Sequence, residues 1–153
     1  MRIKSYKVYK FSELSEKAKE KAIEKFRYNQ DLSFTWETTQ EDAKNIGLDL
    51  TGIERGDMRG YFENSAEDCI AKILKEHGKK CETYKTALQY KKELKNEKDE
   101  DKHDDIKEEF LRSILEDYRI MQEKDEEYQI SEEEITETIE ANDYEFTEEG
   151  DID

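Results

Sequence analysis

The chain of 153 residues has no proline, two cysteines, two histidines and six glycines. Each shortage excludes something. Without proline, long helices run uninterrupted. Cys69 and Cys81 are too few for the disulfide framework of a small secreted domain. No stretch approaches the roughly 20 apolar residues that span a bilayer. Met1-Arg2-Ile3-Lys4 leads into an alternating segment rather than an apolar run, so no signal peptide is expected. These readings lead to an expectation of a cytoplasmic chain with reduced thiols, no membrane partner and a single domain over 1–153.

Charge is abundant and uneven. Charged residues make up 44% of the chain, which leans toward disorder unless the apolar residues are patterned. Residues 1–96 hold 17 acids and 20 bases, whereas residues 97–153 hold 25 acids and 6 bases. The surplus of 19 negative charges in the last third repels nucleic acid and attracts cationic proteins. Direct nucleic-acid binding is therefore not expected, and a protein with a basic surface is the expected partner.

The apolar residues are patterned. Ile3 to Phe11 alternates as an opening strand, with Tyr6 and Val8 on one face. A helix starts at Ser12 or Ser15 and buries Leu14, Ala18, Ala22 and Phe26. A second carries Phe34, Trp36, Ala43 and Ile46 and stops at Gly47. Leu48–Glu54 and Gly60–Glu63 form a hairpin whose tip presents Arg55, Met58 and Arg59. A third helix, capped by Asn64 or Ser65, buries Ala66, Cys69, Ile70, Ile73, Leu74 and His77.

A helical hairpin over 81–128 comes next. Cys81, Tyr84, Leu88 and Leu94 mark one arm, and Ile106, Phe110, Ile114, Tyr118 and Met121 the other. Ser131-Glu132-Glu133-Glu134 opens a last helix that Asn142 ends in the left-handed conformation. Tyr144–Thr147 closes as a strand, and Glu149-Gly150 starts a turn. The fold class is α+β: a small antiparallel sheet of about four strands packed with helices.

Known chemical signatures are sparse. There is no phosphate-cradling glycine loop, nucleophile elbow, HExxH or paired CxxC, and no enzyme or cofactor is expected. His77, Cys81 and Cys69 carry zinc-ligand chemistry, but Cys69 lies on an apolar helix stripe and reads as packing. Asp99, Asp101, His103 and Asp105 alternate like a calcium loop, yet Asp104 replaces its glycine and Phe110 its closing glutamate. Arg55-Gly56-Asp57 reads as an ordinary turn.

Glu109, Glu116 and Glu123 recur every seven residues, along one helix stripe at about 10 Å spacing. With Asp117, Asp125, Glu126 and Glu127 they make the expected partner-binding face, a rod of carboxylates imitating a phosphate track. Arg112 and Arg119 lie beside the stripe, placed to pair with it.

Four segments carry a resemblance: YKFSELSEKAKEKAIEKF (Tyr9–Phe26), NSAEDCIAKILKEHGKKCETYKTA (Asn64–Ala87), FLRSILEDYRIMQEKDEEY (Phe110–Tyr128) and IEANDYEFTEEG (Ile139–Gly150). They resemble small acidic proteins encoded by phages and prophages of low-GC bacteria, some labelled antitoxins. The resemblance implies a phage setting inside a host cell and supplies no catalytic residues. Together with the acidic face it suggests a non-enzymatic inhibitor of a bacterial defence system, of the anti-CRISPR kind and possessing nucleic-acid mimicry. The alternative is an antitoxin-like partner that neutralises a toxin.

Overall fold

The computed structural model describes residues 7–153. The expected positions Ile3 and Tyr6 lie outside them. Within them the chain is α+β and groups into two compact units. One comprises the chain up to Leu32 together with Asp125–Asp153, and the other comprises Ser33–Lys124. Each has its own apolar cluster. Among the described residues, the single sheet expected from sequence is instead two two-stranded antiparallel sheets, one per unit, each burying side chains into its own cluster.

The first unit pairs the ends of the chain. Strand β1 (Tyr9–Lys10) leads into a 3-10 turn over Phe11–Glu13, so among the described residues the expected opening strand covers only Tyr9 and Lys10. Ser15 Oγ then accepts from the Ala18 amide at 3.2 Å and starts α1 (Glu16–Tyr28). Ser131 Oγ does the same for Glu134, opening α6 (Glu132–Ala141). Strand β4 (Glu145–Phe146) pairs with β1, and Ile152 bridges back to Phe146 as the return of the closing turn.

Phe11, Leu14, Ala18, Ala22, Ile23, Ile135, Ile139 and Phe146 form this unit's core. Asp143, not Asn142, takes the left-handed conformation (φ 54°). Asn142 stays in the helical region and spends its amide on the Thr138 carbonyl at 2.8 Å. Opposite charge also favours this pairing of chain ends. Residues 1–32 hold nine bases and five acids, and residues 125–153 hold 14 acids and no lysine or arginine. Lys10 approaches Asp143, while Lys21 and Lys25 both approach Asp151.

The second unit begins with α2 (Ser33–Asn45), which ends as Gly47 turns left-handed at φ 76°. Strands β2 (Leu48–Glu54) and β3 (Asp57–Phe62) are joined by Arg55 and Gly56, both at positive φ, the geometry of a tight two-residue hairpin turn. Leu48, Leu50 and Met58 face inward, so Met58 is core rather than an exposed tip residue.

Ser65 Oγ caps α3 (Ala66–Glu76) through the Asp68 amide, and Ala66, Cys69, Ile70 and Ile73 are buried as expected. Helices α4 (Glu82–Asn96) and α5 (Glu100–Gln129) run antiparallel within the hairpin, joined by Thr86–Asp117 and Tyr90–Ser113 hydrogen bonds. Phe110 stacks on Phe62 and meets Tyr90 at a tilt, both with ring centroids 5.5 Å away.

Two expected stripes are displaced. Helix α4 buries Thr83, Ala87 and Tyr90, whereas Cys81 is an exposed N-cap and Tyr84 and Leu88 are half-buried. Helix α5 buries Gln122 where Met121 was expected. The Gln122 amide bonds to the Thr35 and Thr39 hydroxyls of α2, which offsets the cost of burying it.

Candidate functional site

Within α5, Glu109, Glu116 and Glu123 are all exposed, but they do not form an unopposed carboxylate track. Arg119 lies three residues after Glu116 and four before Glu123, so its fork reaches both. Its Nε and Nη2 donate to the two Glu116 oxygens at 2.8 and 2.6 Å, and Nη1 donates to Glu123 at 2.9 Å. The guanidinium holds the Glu116 carboxyl below its ordinary range. Arg112 does not join them. Among the described residues it has no ion pair.

Asp117 faces inward. It is half-buried and accepts from Thr86 Oγ1 at 2.6 Å. Burial raises its pKa despite that bond, with smaller contributions from Glu82 and Glu116. The folded state thus holds the Asp117 proton more tightly than the unfolded chain. The stability this contributes is fully present below the unfolded value and lost as pH rises through the raised one. At neutral pH the ionised group is a net cost. Asp117→Asn keeps an acceptor for Thr86 and removes the charge. It is expected to raise the Tm at pH 7 only modestly, by about 1–3 °C, because solvent screens part of the half-buried charge. Thermal melts across pH should show the advantage vanishing in acid.

Asp125, Glu126 and Glu127 belong to the first unit, as does the densest acidity of the chain. On α6, Ile135 and Ile139 face the core, leaving Glu133, Glu137 and Glu140 exposed at helical spacing on one stripe. None of these three has an ion pair among the described residues. Glu132, Glu145, Glu148 and Glu149 are exposed as well. The Glu134 carboxylate points instead to the Tyr128 hydroxyl, which it raises in pKa. The signal for this face was present in sequence: no lysine or arginine follows Lys124.

Other constellations resolve into packing. Cys69 is fully buried, and desolvation pushes its thiol up to about 12, which leaves little thiolate for a metal. Cys81 is exposed at the start of α4. His77 Nδ1 lies 2.6 Å from Thr83 Oγ1, and its Nε2 lies 3.7 Å from Asp42 Oδ2, which also accepts from Tyr118 at 2.7 Å. The order hydroxyl–imidazole–carboxylate imitates a nucleophilic triad. However, Thr83 is buried and closed to substrate, so the set ties α2, α3, α4 and α5 together.

The calcium-like run is helical and caps itself. Asp99 Oδ1 accepts from the Asp101 amide at 3.0 Å, and His103 Nε2 meets the Glu97 carbonyl at 2.8 Å. Among the described residues no cluster of three or more His, Cys, Asp or Glu is placed to hold a metal, and no helix is long and apolar enough to cross a membrane. Comparison with family models, curated proteins and solved structures finds no match to the chain.

Proposed function

We propose that the protein works by binding, using the acidic face of its first unit to engage a cationic surface on a host protein. The observation that carries this reading is the run of 14 acids without a lysine or arginine over residues 125–153, part of it fixed on α6. Carboxylates on an ordered helix cost little reorganisation on binding and steer a basic partner toward the complex. Partial neutralisation of Glu116 and Glu123 by Arg119 moves the weight of the reading from α5 to α6. The resemblance to phage-encoded acidic proteins favours, as that partner, a defence nuclease with a basic nucleic-acid channel that the protein would inhibit.

The partner is to be captured from a bacterial host lysate and identified by mass spectrometry, and its affinity then measured at several salt concentrations. Charge reversal at Glu133, Glu137 and Glu140 together is expected to weaken binding by about tenfold or more, mostly through the association rate. Reversal at Glu116 and Glu123 should do less, because Arg119 already offsets them. Affinity indifferent to both salt and the α6 reversal would defeat the proposal.

A further inference from the structure

Beside the hairpin tip, charges of both signs surround an apolar floor. In the second unit, Asp57, Met58, Arg59, Arg112, Leu115 and Glu116 line an open groove of about 310 Å3. Met58 and Leu115 are largely buried and give it an apolar floor. Gly60 lets α5 lie close to the strand, since a Cβ there would stand 3.0 Å from Leu115 Cδ2 and 2.6 Å from the Asp49 carbonyl. The tight Arg55-Gly56 turn fixes the positions of Asp57 and Arg59 beside it.

The charged groups of the groove are not equally engaged. Glu116 is occupied by the Arg119 fork. Arg59 has only a 3.9 Å approach to Glu54, and Arg112 has no ion pair among the described residues. Two guanidiniums over an apolar floor thus remain available, with Asp57 as a nearby acceptor. Guanidinium forks match carboxylates and phosphates alike. Asp57 decides between these, because an ionised side chain in the lining repels a doubly charged phosphate more than a singly charged carboxylate.

We propose that this groove binds an acidic segment of a partner protein. An aspartate or glutamate carboxylate of the partner sits between Arg59 and Arg112, and an adjoining apolar side chain rests on Met58 and Leu115. Asp57 accepts a backbone N–H of the same segment. This surface belongs to the second unit, whereas α6 belongs to the first, and the proposal stands independently of the acidic face of α6.

The test is a titration of the full-length isotope-labelled protein, following the arginine Nε–H signals and the methionine methyls. The probes are the capped dipeptide acetyl-aspartyl-leucine amide, acetate and inorganic phosphate. The dipeptide is expected to shift Arg59, Arg112 and Met58 in a saturable way and to bind more tightly than either small anion. Arg59→Gln and Arg112→Gln should each weaken it by about tenfold, as loss of a charge-assisted bidentate contact does. Absence of saturable shifts in the wild-type protein would overturn the proposal, and so would phosphate or acetate binding as tightly as the dipeptide. Unchanged affinity in both glutamine variants would also overturn it. Both arginines are largely exposed, so unchanged amide spectra of the variants serve as the folding control.

Discussion

Phe110→Ala is expected to unfold the second unit well below the melting temperature of the parent protein. Phe110 is fully buried, stacked on Phe62 of the hairpin and tilted against Tyr90 of α4. It therefore joins the β-hairpin, α4 and α5. Truncating a buried phenylalanine costs about 3–5 kcal/mol, because the cavity collapses only in part. Typical domain stabilities are about 5–15 kcal/mol, so the loss is a large fraction of the total.

For a unit of this size that corresponds to a drop in Tm on the order of 15 °C or more. Phe110→Leu retains most of the volume and should cost much less. Near-ultraviolet circular dichroism should follow the loss, because Tyr90, Tyr118 and Trp36 belong to the same cluster. A Tm within a few degrees of the parent would mean that the aromatic stack is not the centre of this core.

The features legible in the sequence are those fixed by neighbours along the chain. Ser15, Ser65 and Ser131 each cap a helix, because capping needs only a side-chain oxygen and an amide three residues on. The α3 stripe was legible for the same reason: its apolar residues alone define the buried face. Polar residues that find partners far along the chain defeat this kind of reading. Thr83 is buried against His77, which turns the inner face of α4 away from Cys81 and Leu88. Gln122 is buried against Thr35 and Thr39, which leaves Met121 exposed.

Strand pairing follows the same rule. The β2–β3 hairpin was readable from its turn, whereas the pairing of β1 with β4 depends on residues at opposite ends of the chain. The candidate face was half legible: the charge imbalance was plain, but its placement was not. Arg119 was visible beside Glu116 and Glu123. That one side chain would hold both of them, while Arg112 held neither, depended on rotamers that no spacing determines.

The closing segment of the chain supplies the second large effect. Gly150→Ala is expected to release the turn that follows β4 from α1. Gly150 is buried at φ 93°, a conformation that side-chain-bearing residues avoid, and a Cβ there would stand 2.4 Å from the Ala18 carbonyl. Backbone strain and the clash each cost about 1–3 kcal/mol, so together they are expected to exceed what holds so short a segment in place.

Three hydrogen bonds report on that segment: Thr147 to the Asp151 carbonyl, Gly150 to the Thr147 carbonyl and Asp153 to the Glu145 carbonyl. Hydrogen exchange at the amides of residues 147, 150 and 153 should accelerate strongly in the variant, while amides of α3 in the other unit stay protected. Loss of the dock also frees Asp151 from Lys21 and Lys25, exposing more negative charge in a less ordered form. If the partner reads mainly the stripe on α6, affinity should fall less than after reversal at Glu133, Glu137 and Glu140, because those residues stay on their helix. Exchange rates unchanged at residues 147, 150 and 153 would show that the fold yields around the added methyl and that the close approach of Gly150 to α1 is not required.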